Sequence, residues 1–203
     1  MLEQRIFALT DVTELRAVVA SFGWVTMVTA PPGRGLVVSH LPVVLDPSRD
    51  GLALLGHLAR TDATSHELGQ HDTVLIVQGP HGYVSPTFYT GGPYVPTWNF
   101  VVVHLHGRPE PLGGDETYEV LDRTVDHFER CQPKPWRLDS VDAYAHRIAG
   151  GVAGFRLVPD RVVGKAKLSQ EKPAEDVRSV VAALDGVNSQ LAMAMRGVAR
   201  AKE

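Results

Sequence analysis

The chain has 203 residues, 44% hydrophobic and 21% charged, with a formal net charge of −3 when its nine histidines are neutral. That balance gives no basic field to attract nucleic acid, and no apolar run reaches the roughly 20 residues of a membrane helix. The length supports one substantial core, so the expectation is a single domain over 1–203 with a helical C-terminal segment at about 172–200. The lone Cys131 cannot close an intramolecular disulfide, and the opening MLEQRIFALTD lacks a signal-peptide pattern. Both features point to a cytoplasmic protein.

In chain order, Val12 to Phe22 reads as a helix with Asp11 or Thr10 as N-cap, an apolar stripe of Leu15, Val18 and Val19, and a stop at Gly23. Trp24 to Ala30, Leu36 to Leu45 and Leu52 to Arg60 read as strands joined by the turns PPGRG and DPSRDG. Pro42 inside the second of these predicts an edge position or a bulge. Thr61 or Asp62 caps a short helix to Gln70, and Val74 to Gln78 is apolar enough for a buried strand. Gly82 to Phe88 and Asn99 to Leu105 flank a proline- and glycine-rich excursion. Asp115 to Glu129 is predicted to be a helix with Tyr118, Leu121, Val125 and Phe128 on its apolar face. A short helix at Asp139 to Ile148, a strand at Gly154 to Gly164 and a mostly helical tail from Ala174 to Ala199, interrupted near Gly186, complete the chain. Short strands linked by hairpins suit a closed or split antiparallel barrel.

Seven of the nine histidines fall between residues 40 and 106. Such clustering raises the prospect of an imidazole that ligates a metal or moves a proton, although any one of them is more often a packed or solvated residue. No HExxH or CxxC spacing accompanies them, which argues against structural zinc. His104 and His106 share a strand face that could be pocket or solvent. His57 ends an apolar strand, and Arg60 with Thr61 meets the start of the short helix. That corner is either an anion site or a surface ion pair. Ser85, Thr87, Tyr89, Thr97, Trp98 and Asn99 set polar groups beside flat aromatic surface, which suits a planar cofactor or a plain core. Lys165 and Lys167 point the same way and either clamp an anion or form a solvated turn.

HLAR at 57–60, GPHGYVSPTFY at 79–89, VPTWNFVVVHLHG at 95–107 and GFRLVPDRVVGKAKLSQ at 154–170 together resemble the PaiB-type family. These are split-barrel proteins labelled FMN-binding negative transcriptional regulators. The likeness runs unbroken from about residue 15 to about 185, with VPTWNF its most specific block. It implies an α+β, mainly antiparallel fold: a six-stranded split β-barrel, FMN-binding-like, with a helical C-terminal part. It also implies a homodimer with cofactor sites at the subunit interface.

Where that family usually follows HLAR with Ala-Asn-Pro-x-Trp, this chain has Thr61-Asp62-Ala63-Thr64-Ser65-His66; its excursion before VPTW is only YTGGPY, and Glu171 stands where an amide is usual. These departures resemble the family's haem-dependent piperazate synthase branch. That resemblance implies haem b and a small amino-acid substrate, N5-hydroxyornithine, closed by an N–N bond to piperazic acid. The alternative is a PaiB-like flavoprotein with FMN, an oxidoreductase or a regulator. On the haem reading, His57, Arg60, Thr61, His66, Ser85, Trp98, Lys165 and Lys167 are the candidate cofactor contacts. For haem, His57 and His66 are the candidate iron ligands, and Tyr89, Thr97 and Asn99 the candidate catalytic residues on the substrate side.

Overall fold

The computed structural model describes residues 4–200. Its elements, in order, are β1 (Ala8–Leu9), α1 (Val12–Ser21), β2 (Trp24–Thr29), β3 (Val37–Leu45), β4 (Leu54–Ala59), α2 (Arg60–Ser65), β5 (Thr73–Val84), β6 (Thr97–Gly107), β7 (Glu110–Pro111), α3 (Gly114–Glu129), α4 (Asp142–Ala149), β8 (Val152–Leu157), β9 (Arg161–Lys167), α5 (Ala174–Leu184) and α6 (Ser189–Arg200). The fold class is α+β: a curled antiparallel split-barrel sheet with a helical C-terminal region. Among the described residues seven strands have six or more residues, one more than the six implied by the family resemblance. No helix among them is long and apolar enough to cross a membrane.

The chain forms two compact units. One comprises Asp11–Val77 and His104–Val162; the other comprises the residues up to Thr10, Gln78–Val103 and the residues from Val163 on. Strands β5, β6 and β9 each run from one unit into the other.

In the first unit the strand order is β5-β2-β3-β4-β8-β7, with every recorded pairing antiparallel. The Asp11 carboxylate caps α1 by accepting from the Thr13 and Glu14 amides at 2.8 and 3.0 Å, and Leu15 and Val19, one turn apart, are buried. Pro42 pairs with Trp24 of β2 and has no partner on its β4 side, so it sits at a local edge, as expected. Residues Val37 to Pro42 pair with β2 and Val43 to Leu45 with β4, so the missing N–H falls where the strand changes partners. Val25, Met27, Leu41, Val43, Leu54, Leu75, Leu105, Phe155 and Leu157 form the core, all 0–2% exposed.

Three expected boundaries shift. The expected strands 74–78 and 82–88 are partly one long strand, β5, which ends at Val84 before a 3-10 turn at Pro86–Phe88. The expected strand 154–164 is two, β8 and β9, separated at Val158 to Asp160. Helix α3 buries Thr117, Val120 and Thr124 rather than the larger apolar row. Gly154 explains that choice: a Cβ there would lie 2.8 Å from Thr117 Oγ1, so the glycine lets α3 sit directly on β8 through the smaller face. The Gly154 amide donates to the same hydroxyl at 3.2 Å.

In the second unit the strand order is β1-β9-β6-β5. Helices α5 and α6 carry Val177, Val180, Leu184, Leu191 and Met195 into a core with Val84, Val101 and Val103. The expected break near Gly186 lies between these helices.

Phe155 is fully buried and fills the space over Gly56, where a Cβ would come within 2.6 Å of its ring. Phe155→Ala is expected to lower unfolding free energy by about 3–5 kcal/mol, read from the urea midpoint at unchanged slope.

Candidate functional site

The first unit contains an open, strongly apolar groove of about 670 Å3. Trp24 of β2, Pro42 of β3 and His57 of β4 form one side; Leu121, Val125 and Phe128 of α3 with Ile148 and Ala149 of α4 form the other. The apolar row expected to bury α3 therefore faces this groove. Its few polar groups are mostly committed. Thr124 Oγ1 donates to the Val120 carbonyl at 2.7 Å, and the Glu129 carboxylate accepts from the Trp136 amide at 2.9 Å.

His57 is the exception. Its Nδ1 is buried with no hydrogen-bond partner, and burial lowers the imidazole's pKa below the ordinary 6.5. A neutral ring with an unsatisfied nitrogen in apolar surroundings can receive a ligand's hydrogen bond or coordinate a metal.

Arg60 spends two of its side-chain donors on backbone carbonyls rather than on the ion pair that the sequence left open beside an anion site. It opens α2, but its Nε and one terminal nitrogen each donate at 2.6 Å, to the Gly150 and Val152 carbonyls, while its amide donates to Gly151 O at 2.9 Å. The cation thus braces the end of α4, where carbonyls gather and a positive charge is favoured. The N-cap of α2 is Ala59, with no side-chain cap, rather than Thr61 or Asp62. The Thr61 carbonyl accepts from Ser65 Oγ at 3.1 Å.

His66 is completely buried and has neither nitrogen free. Ser39 donates its hydroxyl to Asp62 at 3.2 Å, so its oxygen accepts from His66 Nε2 at 3.0 Å, and Nδ1 accepts from Thr29 Oγ1 at 2.7 Å. As an iron ligand His66 would have to surrender one of these bonds; as it stands it ties β2, β3 and α2 together. Among the described residues no group of three or more His, Cys, Asp or Glu is placed to hold a metal ion.

The remaining candidates lie in the second unit. Asn99 is fully buried; its amide nitrogen donates to Ser169 Oγ at 2.9 Å and to Met195 Sδ at 3.3 Å, leaving Oδ1 without a partner. Tyr89 also bonds Ser169, and burial, opposed by that bond, raises its pKa, so the phenol keeps its proton. Ser169 holds a left-handed backbone at φ 65°, which is uncommon outside glycine and stores local strain. Lys167 Nζ donates to Thr97 Oγ1, whereas Lys165 is buried, its ammonium 5.8 Å from the ring centroids of Phe7 and of Phe100. Ser85 caps the 3-10 turn through Thr87, and Trp98 stands exposed beside His81 and Tyr83.

The sequence reading missed Asp176. Buried on α5, it accepts from the Thr90 amide and hydroxyl, the Gly91 amide and the Tyr94 hydroxyl at 2.7–3.0 Å. The Gly91 and Tyr94 bonds lead in holding its pKa down at about 2. A carboxylate one residue from Val177 and a turn before Val180, on an otherwise apolar stripe, was the available signal.

Burial lowers the pKa of both His57 and His66, so the native state prefers them neutral. Their contribution to stability is complete above the unfolded value of about 6.5 and is lost as pH falls through it toward the folded values. The melting temperature is therefore expected to drop between pH 7 and 5, and less steeply in His66→Gln; identical slopes would rule out this role for His66.

Comparison with known proteins sets this geometry in context. The family described as "Putative FMN-binding domain" matches residues 1–161. The protease synthase and sporulation protein PAI 2 of Bacillus subtilis is 27% identical over 179 residues, covering 87% of this chain and 86% of that protein. Two solved structures share the fold. The FAD and heme binding protein from Mycobacterium smegmatis has a TM-score of 0.56 at 14% identity, covering 78% of this chain and 72% of its own. The flavocytochrome Anf3 from Azotobacter vinelandii has a TM-score of 0.58 at 18% identity, covering 81% and 72%.

Proposed function

We propose that this chain, which belongs to the FMN-binding domain family, is a cofactor-dependent protein of the flavin- and haem-binding split-barrel class, with the groove over His57 as the seat of a flat prosthetic group. The observation that carries this reading is the groove itself: apolar, open, large enough for a planar ring system and containing one unsatisfied imidazole nitrogen.

Family membership and the similarity to PAI 2 support FMN, and with it a PaiB-like oxidoreductase or regulator. A flavin would supply hydride or electron transfer there. The apolar walls suit the isoalloxazine ring. No lysine or arginine lines the groove, so the phosphate would need a partner outside this lining.

One observation favours haem as a second reading: His57 lines the groove and its Nδ1 has no hydrogen-bond partner, so this residue would hold the iron, while the propionates, like a flavin phosphate, would need cations outside this lining. The names of the two structural neighbours add that haem occurs on this fold. Haem would supply an iron that binds and polarises an N–O bond. In the corresponding activity the α-amine of N5-hydroxyornithine forms the N–N bond of piperazic acid. The N–O bond breaks and the oxygen leaves as water, with no external oxidant or reductant. His57 would hold the iron, and the aromatic rim would exclude water.

The visible spectrum of the purified protein separates the readings. Fluorescent FMN released on denaturation supports the flavin; a Soret band that is lost in His57→Ala supports haem. Protein that takes up neither removes both.

A homodimer belongs to the proposal. The resemblance carried by the VPTWNF block implies it, and exposed Trp24 at the rim of the His57 groove suits a second copy closing that groove. In solution the chain is expected at twice its 22.1 kDa mass, read by light scattering; the single mass would remove the dimer.

A further inference from the structure

A second pocket of the first unit, of about 370 Å3, opens where β2 ends, β5 begins, β6 ends and β9 begins. Val28, Ala30, Leu36 and Val74 provide apolar wall; Asp72, Asp160, His106 and Arg161 provide its charged and titratable groups. That volume is within the usual range of about 300–1,000 Å3 for small-molecule sites.

Most of the polar groups around it are already engaged. The hydroxyl of Thr29 bonds His66, that of Thr73 donates to the His71 carbonyl at 3.3 Å, and the Asp72 carboxylate accepts from Arg108 at 3.2 Å. Two opposite charges are not. Arg161 makes one side-chain hydrogen bond among the described residues, donating to His106 Nδ1 at 3.0 Å. That acceptor is a neutral imidazole, its pKa lowered by burial and then by the guanidinium. The contact orients the guanidinium without neutralising it, and leaves most of its donors for another acceptor. Asp160, its neighbour in sequence, is close enough to His106 for its charge to oppose that lowering, and no hydrogen bond or ion pair holds its carboxylate among the described residues.

We propose that this pocket binds a free α-amino acid with an aliphatic side chain. The ligand carboxylate pairs with the Arg161 fork, its ammonium with Asp160, and its side chain lies against Val28, Leu36 and Val74. A guanidinium matches a carboxylate in two parallel hydrogen bonds, which an ammonium does not reproduce. The two nearby aspartates disfavour a phosphate dianion, so a zwitterion is the ligand whose charges the pocket matches. The site is separate from the His57 groove and does not depend on which cofactor occupies it.

The test is titration calorimetry on the full chain with L-norvaline, pentanoate and butylamine. Saturable binding of L-norvaline is expected, with pentanoate and butylamine each at least about tenfold weaker, one recognition pair being worth roughly that factor. Arg161→Gln is expected to weaken L-norvaline at least tenfold and Arg161→Lys to restore only part of that. Asp160→Asn is expected to weaken L-norvaline while leaving pentanoate unchanged. Both residues are exposed, so the variants should keep the parent melting temperature. Absence of L-norvaline binding, equal binding of pentanoate, or an Arg161→Gln variant that binds normally would each overturn the proposal.

Discussion

The groove depends on how Arg60 is held. Three hydrogen bonds from this one residue fix Gly150, Gly151 and Val152, which end α4 and begin β8. Helix α4 contributes Ala145, Ile148 and Ala149 to one wall, and β8 pairs with β4 so that His57 lies opposite Gly154. A single residue, through its guanidinium and its amide, therefore braces the segment that carries both α4's wall and the β8 strand opposite His57. Gly154 acts in the same sense from the other side, since the close seating of α3 against β8 leaves Leu121, Val125 and Phe128 facing the cavity instead of the core. The site is a product of backbone bracing, with little polar chemistry of its own.

The backbone elements were largely legible in the sequence because local chemistry determines them. Asp11 is followed by an apolar stripe at helical spacing, and its carboxylate caps α1 as such a residue should. The alternating residues of β2 and β3 lie in a paired hairpin. The side-chain roles at HLAR were not legible in the same way. An arginine at the head of a helix looks the same in sequence whether it awaits an anion or satisfies carbonyls some 90 residues away, and only the fold brings Gly150 to Arg60. Likewise, His66 and His57 are both histidines in an apolar setting. The difference between a ring with two hydrogen bonds and a ring with an unsatisfied nitrogen depends on Thr29 and Ser39, which lie on other strands. The larger apolar row of α3 was also misread, because hydrophobicity alone ranks Leu121 and Phe128 above Thr117 and Val120.

Each unit buries polar groups that are paired and one that is not. In the first, His66 has both nitrogens bonded and the Asp46 carboxylate accepts from Arg156 at 2.8 Å, while His57 Nδ1 stays unpaired. In the second, Asn99 keeps an unpaired oxygen and Ser169 keeps a strained backbone, side by side at the end of the KLSQ segment. Unpaired buried polar groups and unfavourable dihedrals both cost free energy, and they persist where the surrounding packing over-determines them. Tyr89, Asn99 and Ser169 together thus form a rigid polar knot inside an otherwise apolar unit.

Asp176 gives the YTGGPY excursion an unusual dependence. That segment has three glycines and prolines in a row and no large buried anchor apart from Tyr89, so its own sequence scarcely specifies a shape. Its conformation is borrowed instead from α5, where the Asp176 carboxylate gathers two amides and two hydroxyls. Loop and helix therefore constitute one unit of inheritance: either can be exchanged between relatives only if the other travels with it.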